Sequence, residues 1–366
     1  MCVYKHRSTA IHTKQSDRAE VYYYEAMRRA LNALRRFIGR TPLSTTAILS
    51  IGFFIAGMFA APVFVQTGAI TASHTLREKQ DTYPLIYPVL LCNLDPKPEN
   101  EDSAFSAALK KFADDRNEQK QFENISVFVL DYSADRWAAV DPDERYDPAS
   151  MLKVPLMMAY YHEAEQNTNL LLQQAAFKGD DQNSGEYFKA SAEIQPSKAY
   201  TVEQLLESMI INSDNTAAAL LEQMIDKEKL GDVYVDLGLS IPHEAPNVSF
   251  MSVKSYAYFL RLLYNSTYLS RAYSEKILEL MSRSTFSKGI KAGVPAGTIV
   301  ADKFGERTIY ETGTGVVDDR ELHDCGFVYK KDNPYLVCIM TRGKDFDMLA
   351  QTIADFSKFI YDRIGK

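Results

Sequence analysis

The chain has 366 residues, enough for one large domain or two ordinary ones. Apolar residues make up 46% and charged residues 24%, the balance of a globular protein, and 22 Tyr with 19 Phe can build a core. Nine Lys/Arg against three Asp/Glu make residues 1–40 +6 and leave −13 for the rest of a chain whose net charge is −7; so acidic a body argues against nucleic acid as partner.

The basic stretch ends at Arg40, and no charged residue follows between Thr41 and Ser73. Ala47–Val65 reads AILSIGFFIAGMFAAPVFV, long enough to cross a hydrocarbon core as a helix. With Arg28, Arg29, Arg35, Arg36 and Arg40 just before it, the positive-inside rule places the N-terminus in the cytoplasm and the rest outside. A cleaved signal peptide is the rival reading, but the charged leader is long for one, so an uncleaved anchor is expected. The division is a basic cytoplasmic segment 1–40, an anchor 41–66, a Pro-containing stalk 67–101 and a body 102–366.

Within the body, Ala104–Gln121 reads as a helix, and the β-branched and aromatic run Asn124–Asp131 as a strand turning into Arg136–Val140. A helical insertion spans about 150–290, with helices at Leu152–Gln166, Thr201–Met209, Thr216–Asp226, Ser252–Tyr264 and Ser274–Met281. Strands return at Thr298–Lys303, His323–Tyr329 and Tyr335–Thr341, and an amphipathic helix Asp345–Ile364 closes the chain. This order predicts an α+β fold: an antiparallel sheet with segregated helices. Cys325 and Cys338 fall on adjacent predicted strands whose register is open; buried free thiols are the default expectation. No C-x-x-C or His/Cys ligand spacing occurs, so neither a metal nor an organic cofactor is implied.

Chemistry concentrates in three places. Ser150-Met151-Leu152-Lys153 sets a hydroxyl and an amine one turn apart on one helix face, so the amine can reach and activate the hydroxyl. A chain this long holds about one or two such tetrads by chance, so the tetrad gains weight only from its company. Ser213-Asp214-Asn215 lies between two helices, where it also reads as an ordinary helix N-cap. Lys303-Phe304-Gly305 ends a strand-like run. Glu311-Thr312-Gly313 looks closer to K-T-G but carries no cation to attract a carboxylate or depress the pKa of Lys153. His323-Asp324 suggests a Ser-His-Asp triad with Ser150, yet adjacent strand residues point to opposite faces.

Together these motifs, in the order S-x-x-K, S-D-N, K-x-G, resemble class A β-lactamases and their penicillin-binding relatives over roughly residues 102–366. The resemblance implies a five-stranded antiparallel sheet flanked by N- and C-terminal helices, with an all-α subdomain. It implies Ser150 as acylated nucleophile, Lys153 as the amine acting on it, Ser213 as proton relay and Lys303 as the cation for the substrate carboxylate. Asn215 and Gly305 would contact substrate, and the backbone N–H of Glu306, with that of Ser150, would form the oxyanion hole. The implied partner is a β-lactam or a peptidoglycan stem peptide, acting at the outer face of the cytoplasmic membrane. Two departures stand out. Phe304 replaces a threonine, and the stretch Leu237–Asn247 has no E-x-x-L-N to supply a water-activating glutamate; Glu244 and His243 read as surface-loop residues. A D,D-peptidase and a non-catalytic wall-binding homologue are the rival functions.

Overall fold

The computed structural model describes residues 82–88, 100–179, 181–245, 248–311 and 313–366. The expected cytoplasmic segment and the expected anchor at 41–66 lie outside the described residues. Among the described residues no helix is long and apolar enough to cross a membrane. Residues 82–88, in the expected stalk, lie against the body: Glu275 accepts from the N–H groups of Leu85 and Ile86, and Tyr329 Oη donates to Leu85 O at 2.7 Å.

The sheet begins with β1 (Asn124–Asp131) and β2 (Arg136–Val140), joined by the turn Tyr132–Asp135. β1 is buried on both faces, so its apolar residues run almost without a break. Phe128 and Leu130 face one core, Val127 and Val129 the other. β5 (Val300–Tyr310), β6 (Val317–Val328) and β7 (Tyr335–Gly343) complete an antiparallel sheet in the order β2-β1-β7-β6-β5. The strand boundaries expected for β1 and β2 match those found. β5 and β6 run further than their apolar cores predict, because the ladder continues from Glu306 to Tyr310 after the residues cease to be fully buried. Glu311, Gly313 and Thr314 lie beyond the end of that ladder, outside the strand, where Thr314 N–H donates to Glu311 O at 3.3 Å.

One sheet face packs against α1 (Ser103–Asn117) and the closing helix α9 (Phe346–Tyr361), whose Leu349, Ile353, Phe356 and Ile360 recur at helical spacing and are all 0% exposed. The other face packs against the insertion: α2 (Lys153–Ala164), α3 (Val202–Ile211), α4 (Asn215–Met224), α5 (Lys227–Asp236), α6 (Val253–Tyr264) and α7 (Arg271–Ser282). The short α8 (Gly289–Gly293) leads back to the sheet. The insertion is not purely helical: β3 (Gln174–Ala176) pairs with β4 (Ala199–Thr201), strands too short to leave a period in the sequence. In the segment between them, Tyr187 and Phe188 lie against Glu306 of β5.

The default expectation of free thiols is corrected. β6 and β7 pair with Cys325 directly opposite Cys338, Cα–Cα 4.0 Å, and the two form a disulfide. Register decides this, and register depends on the turn and on the burial of both strands together.

Candidate active site

Ser150 does not open an α-helix, as the sequence suggests. It lies in a 3-10 turn, Ala149–Leu152, and Lys153 is the first residue of α2. This turn is held from several sides. Asp147 N–H donates to Glu321 Oε2 at 3.1 Å, His323 Nε2 lies 2.9 Å from Asp147 O, and Tyr256 Oη donates to Met151 O at 2.9 Å. Ala149 adopts φ 46°, a left-handed conformation that costs a non-glycine residue on the order of 1–2 kcal/mol and calls for such anchorage.

Gly305 supplies a further contact. A Cβ there would lie 2.6 Å from Pro148 O and 3.3 Å from Met151 N, so β5 approaches the turn in a way no larger residue permits. That contact sets Glu306 beside Ser150 in one cavity wall, with Asn215, Glu186, Tyr187 and Arg307 around a volume of about 350 Å³.

The second motif supplies the back of the site. Asp214 caps α4 through Ala217 N–H (3.0 Å) and also accepts from Ile194 N–H (2.7 Å) and Ser208 Oγ (2.9 Å). The capping role expected of this motif and its place in the site therefore coexist. Capping leaves Ser213 at φ 57°, turned towards the two lysines. Lys153 Nζ donates to Ser213 O (2.5 Å) and Asn215 Oδ1 (2.6 Å) and lies 3.2 Å from Ser213 Oγ. Lys303 Nζ donates to the same Ser213 Oγ and to Phe304 O, both at 2.9 Å. One hydroxyl thus joins two amines from segments 150 residues apart in the chain.

Burial sets the electrostatics here. It pushes the Lys153 amine down to about 8, while nearby carboxylates, Glu186 first and then Asp214, pull it back up. Of the two causes expected from sequence, burial and the neighbouring cation Lys303, burial is the larger. Lys303 itself lies well below the ordinary lysine range, from its burial and then from the charge of Lys153. At 0% exposure Lys303 stands behind the cavity wall, its amine turned to Ser213, where a substrate carboxylate was expected to meet it. Phe304 points into a buried aromatic stack with Phe286, centroids 4.1 Å apart, and its ring lies 4.4 Å from Lys303 Nζ.

His323 and Asp324 form no triad. Register places them on opposite sheet faces, and both are 0% exposed. His323 is bound to the Asp147 backbone and stacks edge-on against Tyr146, away from the cavity. His243 and Glu244 sit on an exposed 3-10 turn, 3.8 Å apart. Two residues were missed from sequence. Arg307, one place beyond the assigned third motif, lines the cavity and pairs with Asp147. Glu186 lies on the segment between β3 and β4; its Oε1 accepts from Asn215 Nδ2 at 2.7 Å. Nothing in GEYF signals this, because contact is made through folding of the segment. The Glu306 side chain is also more than a backbone bystander: it accepts from Tyr187 N–H (2.7 Å) and Phe188 N–H (3.3 Å), tying that segment to β5. Among the described residues no group of His, Cys, Asp and Glu is arranged to hold a metal ion.

Comparison with solved structures finds the same fold widely. A PBP-A mutant in acyl-enzyme complex with penicillin-G matches with TM-score 0.59 and 18% identity, over 73% of this chain and 98% of that one. The TLA-3 extended-spectrum β-lactamase matches with TM-score 0.59 and 18% identity over 70% and 98%. A representative class A β-lactamase from Bacteroides cellulosilyticus DSM 14838 gives 0.56 and 19% over 70% and 97%. No curated protein sequence matches the chain. The family model for the β-lactamase enzyme family matches residues 104–364, and with three motifs converging on one hydroxyl within that span, this chain belongs to that family.

Proposed function

We propose that the chain is a serine hydrolase that forms an acyl-enzyme through Ser150 with β-lactams or D-Ala-D-Ala-type amides and hydrolyses it slowly. The observation that carries this reading is the continuous chain Lys153 Nζ, Ser213 Oγ, Lys303 Nζ beside the cavity that Ser150 lines. A lysine with a pKa of about 8 is partly neutral at physiological pH, as a general base requires. Lys153 takes the proton of Ser150 as its oxygen attacks the carbonyl, and Ser213 delivers a proton to the departing nitrogen. Lys303, protected from solvent, biases that relay by its charge. The backbone N–H groups of Ser150 and Glu306 face the developing oxyanion. Arg307, the one cation among the described residues lining the cavity, takes the substrate carboxylate.

A penicillin-binding D,D-peptidase is the second reading, favoured by Glu244, which stands on an exposed turn outside the cavity. For location we propose an anchor at residues 41–66 with the body outside the cytoplasm; the Cys325–Cys338 disulfide supports an oxidising compartment. Labelling with a fluorescent penicillin tests the chemistry. Wild type is expected to form a covalent adduct and Ser150→Ala none; equal labelling of the two refutes the acyl-enzyme.

A further inference from the structure

We propose that Glu186 is the base that activates water to release the acyl group from Ser150. This inference rests on the acyl-enzyme reading and supplies what the loop 237–247 lacks. Glu186 and Ser150 line the same cavity, and Glu186 reaches it from the opposite side of Asn215 to Lys153: Asn215 Nδ2 donates to Glu186 Oε1 at 2.7 Å, while Asn215 Oδ1 accepts from Lys153 Nζ at 2.6 Å. Its second oxygen, Oε2, is buried and has no hydrogen-bond partner among the described residues. The other carboxylate in the cavity wall, Glu306, already accepts from the Tyr187 and Phe188 N–H groups and is committed to holding the segment.

The position is built. Asn183 Oδ1 accepts from Asn215 N–H at 2.7 Å, Asn183 Nδ2 donates to Asp214 Oδ1 at 3.2 Å, and Phe188 is packed among Phe286, Phe304 and Phe346. Glu186 is therefore gripped on both sides, by the second motif before it and by β5 after it. Burial raises its carboxyl above the ordinary range, with Lys153 opposing, which makes it a better proton acceptor than an exposed glutamate.

The step balances without another reagent. Substrate amide displaces Glu186 from Asn215 Nδ2, freeing Oε1. Water attacks the acyl carbon as Glu186 takes one of its protons, giving a tetrahedral intermediate. The C–Oγ bond then breaks, and the proton held by Glu186 is returned to the departing Ser150 oxygen. A carboxylic acid leaves, and both residues are restored.

Time-resolved intact-mass measurement after mixing with benzylpenicillin tests this on the full chain. In Glu186→Gln the adduct is expected to form within tenfold of the wild-type rate and to persist at least about 100-fold longer, the lower range of a general base's contribution. Glu186→Asp should decay at an intermediate rate, and wild-type deacylation should slow as pH falls while that of Glu186→Gln stays flat. Matching thermal unfolding of the three proteins ensures that a lost fold is not read as a lost base. A Glu186→Gln adduct that decays as fast as wild type overturns the inference, and so does a wild-type adduct that never decays. An absence of any adduct on wild type fails the acyl-enzyme reading itself, a result distinct from either.

Discussion

Asp302 and Lys303 are neighbours on β5, both 0% exposed, and they serve opposite ends because adjacent strand residues face opposite sides of the sheet. On the Lys303 side, two amines and a serine hydroxyl meet behind a cavity that holds a second serine. On the Asp302 side, two carboxyl groups with no solvent exposure meet inside the fold: Lys291 Nζ lies 3.0 Å from Asp302, and Asp324 Oδ2 accepts from Ile290 N–H at 2.8 Å. Gly289, at φ 58°, is required there, since a Cβ would lie 2.5 Å from Asp324 Oδ2. Burial raises both carboxyls, and the charge of Asp302 helps hold Asp324 well above the usual range. Both clusters are strongly perturbed. What separates chemistry from architecture is access: a perturbed group becomes a reagent only where a substrate-sized space and a nucleophile adjoin it.

The contrast can be broken at either end. Lys153→Met is expected to slow acylation by about 10²–10⁴-fold, the range for a lost general base, with a stability change of no more than about 1–3 kcal/mol, because loss of a buried charge offsets the donor lost to Ser213 O and Asn215 Oδ1. In wild type, the neutral amine is the active form and its pKa lies near 8, so acylation should climb with pH and level off above about 8. Stopped-flow rates across that range measure both, and a pH-independent wild-type rate would remove Lys153 from the base's role. Asp302→Ala should do the reverse. Leaving Lys291 with Ser284 O as its remaining acceptor costs about 1–3 kcal/mol by urea denaturation, while acylation per folded molecule stays within tenfold. A large kinetic loss at full stability would mean that the two sides are one functional unit. Gly305→Ala sharpens the comparison by moving the Ser150 turn alone: with Pro148 O only 2.6 Å from the new Cβ, acylation should fall by about 10²-fold, as expected of a misplacement near 1 Å. Unchanged rates would show that the turn yields freely.

Much of the sheet was legible because β1, β2 and β7 owe their identity to short apolar runs, a local signal. Most helices were legible for the same reason, with ends displaced by up to four residues, but α5 and the short α8 were not foreseen. Ends of β5 and β6 were not, since a solvated ladder has lost the apolar pattern while keeping its hydrogen bonds. The second motif was legible twice over, as a cap and as a site element, because Asp214 does both. Lys303 was chosen over Glu311-Thr312-Gly313 on charge, and its amine does meet Ser213; yet its burial had no trace in the residues around it.

Local sequence therefore determined the elements, their order and the residue types available for acyl transfer, because periodicity, capping and charge act over a few residues. Tertiary structure alone decided that Cys325 faces Cys338, that His323 turns to a backbone carbonyl and not to Ser150, and that Glu186 stands across Asn215 from Lys153. Those outcomes depend on strand register and on how residues 181–198 are tied to β5 through Glu306. They are set by the burial of many side chains at once, which no short window of sequence contains.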